Sequence, residues 1–129
     1  MTSPATHFEI YGEQPAALAD FYREALGWKV EQMPGINYWR IQTGAPDGPA
    51  LHGGLTHKAI PGLNGWMLFV NVASLDDTVA KIVELGGGVV RPKTAVPRTA
   101  WVTICQDPAK NIFGIWQADA KAFPMPEPD

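Results

Sequence analysis

The sequence predicts an α+β fold made of two βαβββ units, and three observations lead there. Short runs of alternating polar and apolar residues dominate the chain, a segment of helical period follows the first such run, and the same order restarts later in the chain. His7 answers to Met67 and Gly54 to Gly114, each pair 60 positions apart, so the halves keep register from first strand to last. A chain of 129 residues can bury roughly two-thirds of its unfolded surface. We therefore read residues 1–129 as one domain, with units at 7–57 and 65–119.

His7 to Tyr11 has the two-residue period of a strand with one apolar face, Phe8 and Ile10. The helix that should cover that face comes next. Leu18, Phe21, Tyr22 and Ala25 recur at helical spacing, Pro15 suits a first turn, Gly27 suits a left-handed end, and Asp20, Arg23 and Glu24 fall on the wet side. Trp28 to Gln32, Tyr38 to Thr43 and Ala50 to Leu55 read as three strands, separated by turn-forming Pro and Gly. Lys58 to Gly65 is a polar joint, after which Met67 to Val72 restarts the pattern with Leu68, Val70 and Val72 toward a second helix. Ser74 caps that helix ahead of Asp76 and Asp77; Leu75, Val79, Ile82 and Val83 form its stripe, and Gly86-Gly87-Gly88 ends it. Val89 to Arg91, Ala100 to Cys105 and Ile112 to Gln117 supply the last strands, with Asp107 to Asn111 as a tight turn and a loose tail from Phe123, rich in proline at Pro124, Pro126 and Pro128.

Charge and composition exclude several classes of function. The formal net charge is −3 with no basic run, which argues against a nucleic-acid partner. No apolar stretch approaches the ~20 residues of a membrane span, and Met1 to Thr6 lacks the features of a secretory signal; the expected location is the cytoplasm. Cys105 is the single cysteine, so neither an intrachain disulfide nor a CxxC site can form, and it reads as a buried strand residue. The triple glycine follows a helix, whereas a phosphate-binding loop precedes one.

The order of elements, with His7-Phe8-Glu9-Ile10-Tyr11, the run from Asp20 to Trp28 that contains Phe21-Tyr22 and Leu26-Gly27-Trp28, Gly53-Gly54-Leu55 and Asp107-Pro108, resembles the glyoxalase/bleomycin resistance/dioxygenase (vicinal oxygen chelate) superfamily across about residues 7 to 117. The resemblance implies an open, cup-shaped mixed sheet that closes around a small-molecule ligand within a chain or across a homodimer. It also implies that metal-dependent members hold a divalent ion with four strand residues, which fall here at His7, Gly54, Met67 and Gly114. Glycine offers no donor and a thioether is soft, so no metal is assigned and no cofactor is expected. The one alternative set, His7, His52 and Glu9, would draw all its donors from one half.

Within the expected cup, His7, Glu9 and Tyr11 point away from the helix, opposite Met67, Phe69 and Asn71. Glu9 and His7 are the candidate catalytic residues, because a carboxylate out of water must be paired, protonated or used. Arg40 is a candidate partner for Glu9. Tyr11, Arg40, His52, Met67, Phe69, Asn71, Trp101 and Trp116 are candidate ligand contacts, with Thr99 and Thr103 open to strand register. Trp39 and Trp66 read as core, and His57 as surface. Three functions follow from this reading. The first is a binder of a small organic molecule acting as a metal-independent lyase or isomerase by acid/base chemistry; the second is a non-catalytic protein that binds a small molecule or antibiotic. The third is a divalent-metal-dependent lyase or dioxygenase.

Overall fold

The computed structural model describes residues 2–57 and 65–123. The elements run β1 (Ala5–Tyr11), α1 (Pro15–Leu26), β2 (Lys29–Gln32), β3 (Tyr38–Gln42), β4 (Gly53–Thr56), β5 (Gly65–Asn71), α2 (Leu75–Glu84), β6 (Gly88–Val96), β7 (Ala100–Gln106) and β8 (Ile112–Ala118). The protein is therefore α+β, with βαβββ order in each half. The chain divides into two compact units, Thr6–Leu68 and the residues from Phe69 onward joined by those before Thr6. The division falls inside β5 rather than at residue 65. Backbone pairing carries the first residues of the chain into the second unit, where the Asn71 N–H donates to the Pro4 carbonyl at 2.9 Å. The expected joint Lys58 to Gly65, apart from Gly65, and the tail prolines lie outside the described residues. Among the described residues, no helix is long and apolar enough to cross a membrane.

In the first unit the strands lie in the order β2-β3-β4-β1. β1 and β4 are parallel, with Glu9 opposite Gly54, while β3 and β4 are antiparallel, with Arg40 opposite Gly54. Helix α1 starts at Pro15, whose missing N–H is not needed there, and ends at Gly27, which takes the left-handed conformation (φ 70°) and donates to the Arg23 carbonyl at 3.0 Å. Phe8, Ile10, Ala19, Val30, Trp39, Ile41 and Leu55 form the core, with Leu18, Tyr22 and Trp28 packed on it. Pro15 and Ala19 are the buried residues of α1, whereas Phe21 is 58% exposed. The apolar stripe is thus rotated from the expected one, centred on Pro15 and Ala19 with Leu18 and Tyr22 at its edges. Trp66 is likewise 56% exposed rather than core, although its ring stacks on Phe8 with centroids 5.3 Å apart. Leu68 is also exposed, so it does not join Val70 and Val72 in facing a helix.

In the second unit the order is β5-β8-β7-β6, with β5 and β8 parallel and Phe69 opposite Gly114. Ser74 caps α2 by accepting the Asp77 N–H at 3.2 Å, and the Gln117 amide oxygen accepts the Leu75 N–H at 2.7 Å. Val72, Leu75, Cys105 and Ile115 form the core, supported by Val70, Val79 and Ile82; Val83 is exposed. β6 extends well beyond the expected Val89 to Arg91, reaching Val96, with register shifts between Val89 and Thr94. Pro92 sits at that irregularity on the last strand of the order, where its missing N–H removes no ladder bond.

Candidate functional site

Strand alternation sorts the first unit into two faces. Phe8, Ile10, Trp39, Ile41 and Leu55 meet α1, so His7, Glu9, Tyr11, Tyr38, Arg40 and Gly54 share the opposite face. Glu9 is the hub of that face. Its Oε1 accepts the Tyr11 hydroxyl at 2.5 Å and its Oε2 the Tyr38 hydroxyl at 3.3 Å. The His7 Nε2 lies 3.4 Å from Oε2. Side-chain exposure of 15% at Glu9 and 25% at His7 leaves the group within reach of a ligand yet partly withdrawn from water.

The carboxylate is therefore paired, and by phenols rather than by Arg40. The Arg40 side chain is exposed, and among the described residues it makes no hydrogen bond or ion pair to Glu9. Burial, and then the nearby Glu9 charge, push the Tyr38 hydroxyl well above the usual phenol range, against a smaller opposing effect of Arg40. Tyr38 is thus a proton-bearing donor at any physiological pH.

Tyr38 was not singled out by the sequence. Only its place two residues before Arg40 on the same strand hinted at it, and the cross-strand register was needed to bring it to Glu9. Gly54 makes the meeting possible. A Cβ there would lie within 3.0 Å of the Tyr38 hydroxyl, Cζ and Cε2, so the missing side chain is the socket in which the phenol sits.

The other expected site residues are dispersed. The His52 Nδ1 accepts the Thr43 N–H at 3.1 Å and its Nε2 lies 3.3 Å from the Ala45 carbonyl. This arrangement commits both ring nitrogens to the backbone of Thr43 and Ala45, and β4 begins at Gly53, three residues later than expected. Met67 is buried in the first unit. In the second unit Phe69 is buried, its ring filling the space a Cβ on Gly114 would need and meeting Trp116 edge to face at 6.4 Å. Asn71 is exposed. Trp101 packs on the α2 side with Cys105 and donates its indole N–H to Asp119 at 3.0 Å, so it does not share the face of Phe69 and Trp116. Thr103 lies on the same side as Trp101. Cys105 is fully buried, which raises its thiol pKa, and His57 is exposed.

The residues present do not fit a divalent ion. The place of a ligand at Gly54 is filled by Tyr38 and that at Gly114 by Phe69, while Met67 offers a buried thioether. His7 alone of the four carries a suitable donor. Among the described residues, no three His, Cys, Asp or Glu side chains converge, and His52 is held away from His7 and Glu9 by its own loop bonds.

Comparison with known proteins decides the family. The model of the glyoxalase-like domain matches residues 8–116. The chain belongs to the glyoxalase-like domain family. This glyoxalase-like chain superposes on a glyoxalase/bleomycin resistance protein/dioxygenase superfamily member from Vibrio splendidus 12B01 with TM-score 0.59, at 15% identity over 91% of this chain and 99% of the other. A methylmalonyl-CoA epimerase from Streptomyces coelicolor in complex with 2-nitronate-propionyl-CoA gives TM-score 0.60, at 16% identity over 96% of this chain and 100% of that one. An NAD-dependent benzaldehyde dehydrogenase from Legionella pneumophila gives 0.62, at 18% identity over 88% and 98%. No curated protein matches. At these identities the likeness is one of fold, and an epimerase and a dehydrogenase among the neighbours underline that this fold does not dictate an activity.

Proposed function

We propose that this glyoxalase-like protein binds a small organic molecule against the Glu9 face and moves a proton on it without a metal, in the manner of an isomerase or lyase. The observation that carries the reading is the Glu9 carboxylate held between Tyr11, Tyr38 and His7. A general base must stay ionised near neutral pH and a nearby donor must meet the negative charge that proton removal creates. Glu9 supplies the first role. Tyr38 supplies the second, since its 3.3 Å bond to Glu9 is the longer and more easily exchanged of the two phenol bonds. When Tyr38 turns to a carbonyl oxygen of the ligand, that oxygen gains a donor, while Tyr11 keeps Glu9 in place. His7 is placed to return the proton. A carbon acid next to a carbonyl is the substrate class this suits, in keeping with the epimerase among the structural neighbours.

A second reading has its own support. Two phenol donors and a histidine gathered on one carboxylate also suit a site that only orients a cationic or hydrogen-bonding ligand, as in a sequestering protein. A thermal-shift screen of small carbonyl compounds, aromatic acids and antibiotics finds ligands for either. Deuterium incorporation from D2O into a bound carbonyl compound, insensitive to EDTA and lost in Glu9→Gln while binding persists, is the outcome expected for proton transfer. A ligand bound and released without exchange defeats the catalytic reading for that ligand. The homodimer implied by the resemblance belongs to the same proposal and is tested by sedimentation.

A further inference from the structure

Arg40 shares the Glu9 face and has no part in the proton transfer described above. Register fixes its place: Arg40 on β3 and Glu9 on β1 both stand opposite Gly54 on β4, so the three residues form one row across the sheet. Arg40 is exposed, and its guanidinium has no hydrogen-bond or ion-pair partner among the described residues. Glu31 faces it from β2, yet that carboxylate pairs with the Lys29 ammonium at 3.8 Å. The positive charge of Arg40 is felt at the Tyr38 hydroxyl, where it opposes the effect of Glu9. A guanidinium is a planar fork of N–H donors, the geometry that holds a carboxylate in two parallel bonds.

The row has a length and an order. Adjacent strands lie ~4.8 Å apart, which sets the β1 and β3 backbones about 10 Å from each other. A charge-assisted hydrogen bond of about 2.8 Å at Arg40 and a reactive approach of about 3 Å at Glu9 leave roughly 4 Å for the ligand, the reach of about three bonds. Between the two ends stands the Tyr38 hydroxyl, in the space where a Gly54 side chain would grow. Across the face the chemistry thus runs from anion holder to oxygen donor to base. A 2-oxo acid presents the matching groups in the same order, as its C1 carboxylate, its C2 ketone oxygen and its acidic C3–H.

Resting on the proton-transfer reading, we propose that Arg40 selects a 2-oxo acid as the substrate: Arg40 donates to the C1 carboxylate, Tyr38 donates to the C2 oxygen, and Glu9 takes a C3 proton. The C3–H electron pair becomes the C2–C3 double bond, the negative charge comes to rest on the C2 oxygen, and return of a solvent proton to C3 restores the ketone. The probes are 2-oxobutyrate and its neutral methyl ester, with Kd measured by calorimetry on the full chain and C3 exchange in D2O followed by NMR. The acid is expected to bind about ten times more tightly than the ester, the scale of a charge-assisted hydrogen bond to an exposed group. Arg40→Gln, at an exposed position where substitution leaves folding intact, should bring the acid down to the ester's affinity. Arg40→Lys keeps the charge without the fork and should restore part of the difference. The inference is overturned if acid and ester bind alike, if the preference survives in Arg40→Gln, or if neither compound binds. Arg40-dependent binding of the acid without C3 exchange supports the carboxylate contact and defeats the proton-transfer reading alone.

Discussion

Replacing Gly54 with alanine puts the Tyr38 socket to a quantitative test. The added Cβ would lie within 3.0 Å of three Tyr38 atoms, so the ring must swing away and its hydroxyl must leave Glu9. Forcing a methyl group into a filled site costs about 1–3 kcal/mol. Losing the Tyr38 to Glu9 hydrogen bond adds about 0.5–1.5 kcal/mol, which the backbone advantage of alanine over glycine in a strand, roughly 0.5–1 kcal/mol, about cancels. The net cost is then the steric one, and for a chain of this size it lowers Tm by roughly 3 to 15 °C. Calorimetry and urea unfolding of Gly54→Ala, Tyr38→Ala and the double variant measure it. In the Tyr38→Ala background the clash is gone, so Gly54→Ala should be neutral or stabilising. Tyr38→Phe removes only the oxygen, leaves Cζ and Cε2 in the way, and should not rescue. If Gly54→Ala costs the same in both backgrounds, within about 0.5 kcal/mol, the socket argument fails.

Tyr38 should also mark the alkaline limb of stability. Its pKa in the folded protein is raised above the ordinary 10.0, so below pH 10 both states hold the proton and nothing changes. Above pH 10 the unfolded chain releases it first, and this residue lowers stability by up to ~1.4 kcal/mol per pH unit. Tyr38→Phe should lose that increment, and identical alkaline slopes in parent and variant would contradict the assignment. Ser74→Ala should cost about 1 kcal/mol in urea unfolding through loss of the α2 cap, whereas Ser74→Asp should keep most of it; equal losses would point away from capping. Cys105, fully buried, should react with a thiol reagent such as DTNB only as fast as the protein opens, so labelling in native buffer as rapid as in denaturant would refute its placement.

Much of the fold was legible because its signals are local. Pro15 and Gly27 bracket α1 and Ser74 begins α2 through backbone chemistry that needs no tertiary contact. Alternation likewise separated Phe8 and Ile10 from His7, Glu9 and Tyr11. What failed depended on rotation or register. Phe21 and Val83 have the right spacing for a core stripe, yet a small rotation of the helix turns them to solvent, while Leu68 keeps the alternation of Val70 and Val72 and is exposed all the same. Whether His52 or Gly54 stands beside Glu9 could not be read from alternation, since both lie on the same face; the parallel pairing of β1 with β4 answers it. Tyr38 escaped for the same reason, because its meeting with Glu9 joins residues 29 positions apart.

The paired sockets at Gly54 and Gly114 also bear on how this chain can change. In each, an aromatic ring from another strand already stands where a side chain would grow, so a mutation to histidine or glutamate at either position would meet an occupied volume before it could meet a cation. Placing a donor at either position requires two replacements together, the aromatic and the glycine, and the single steps between are penalised. Laboratory evolution toward a metalloenzyme from this sequence would therefore do best to begin by mutating Tyr38 and Phe69.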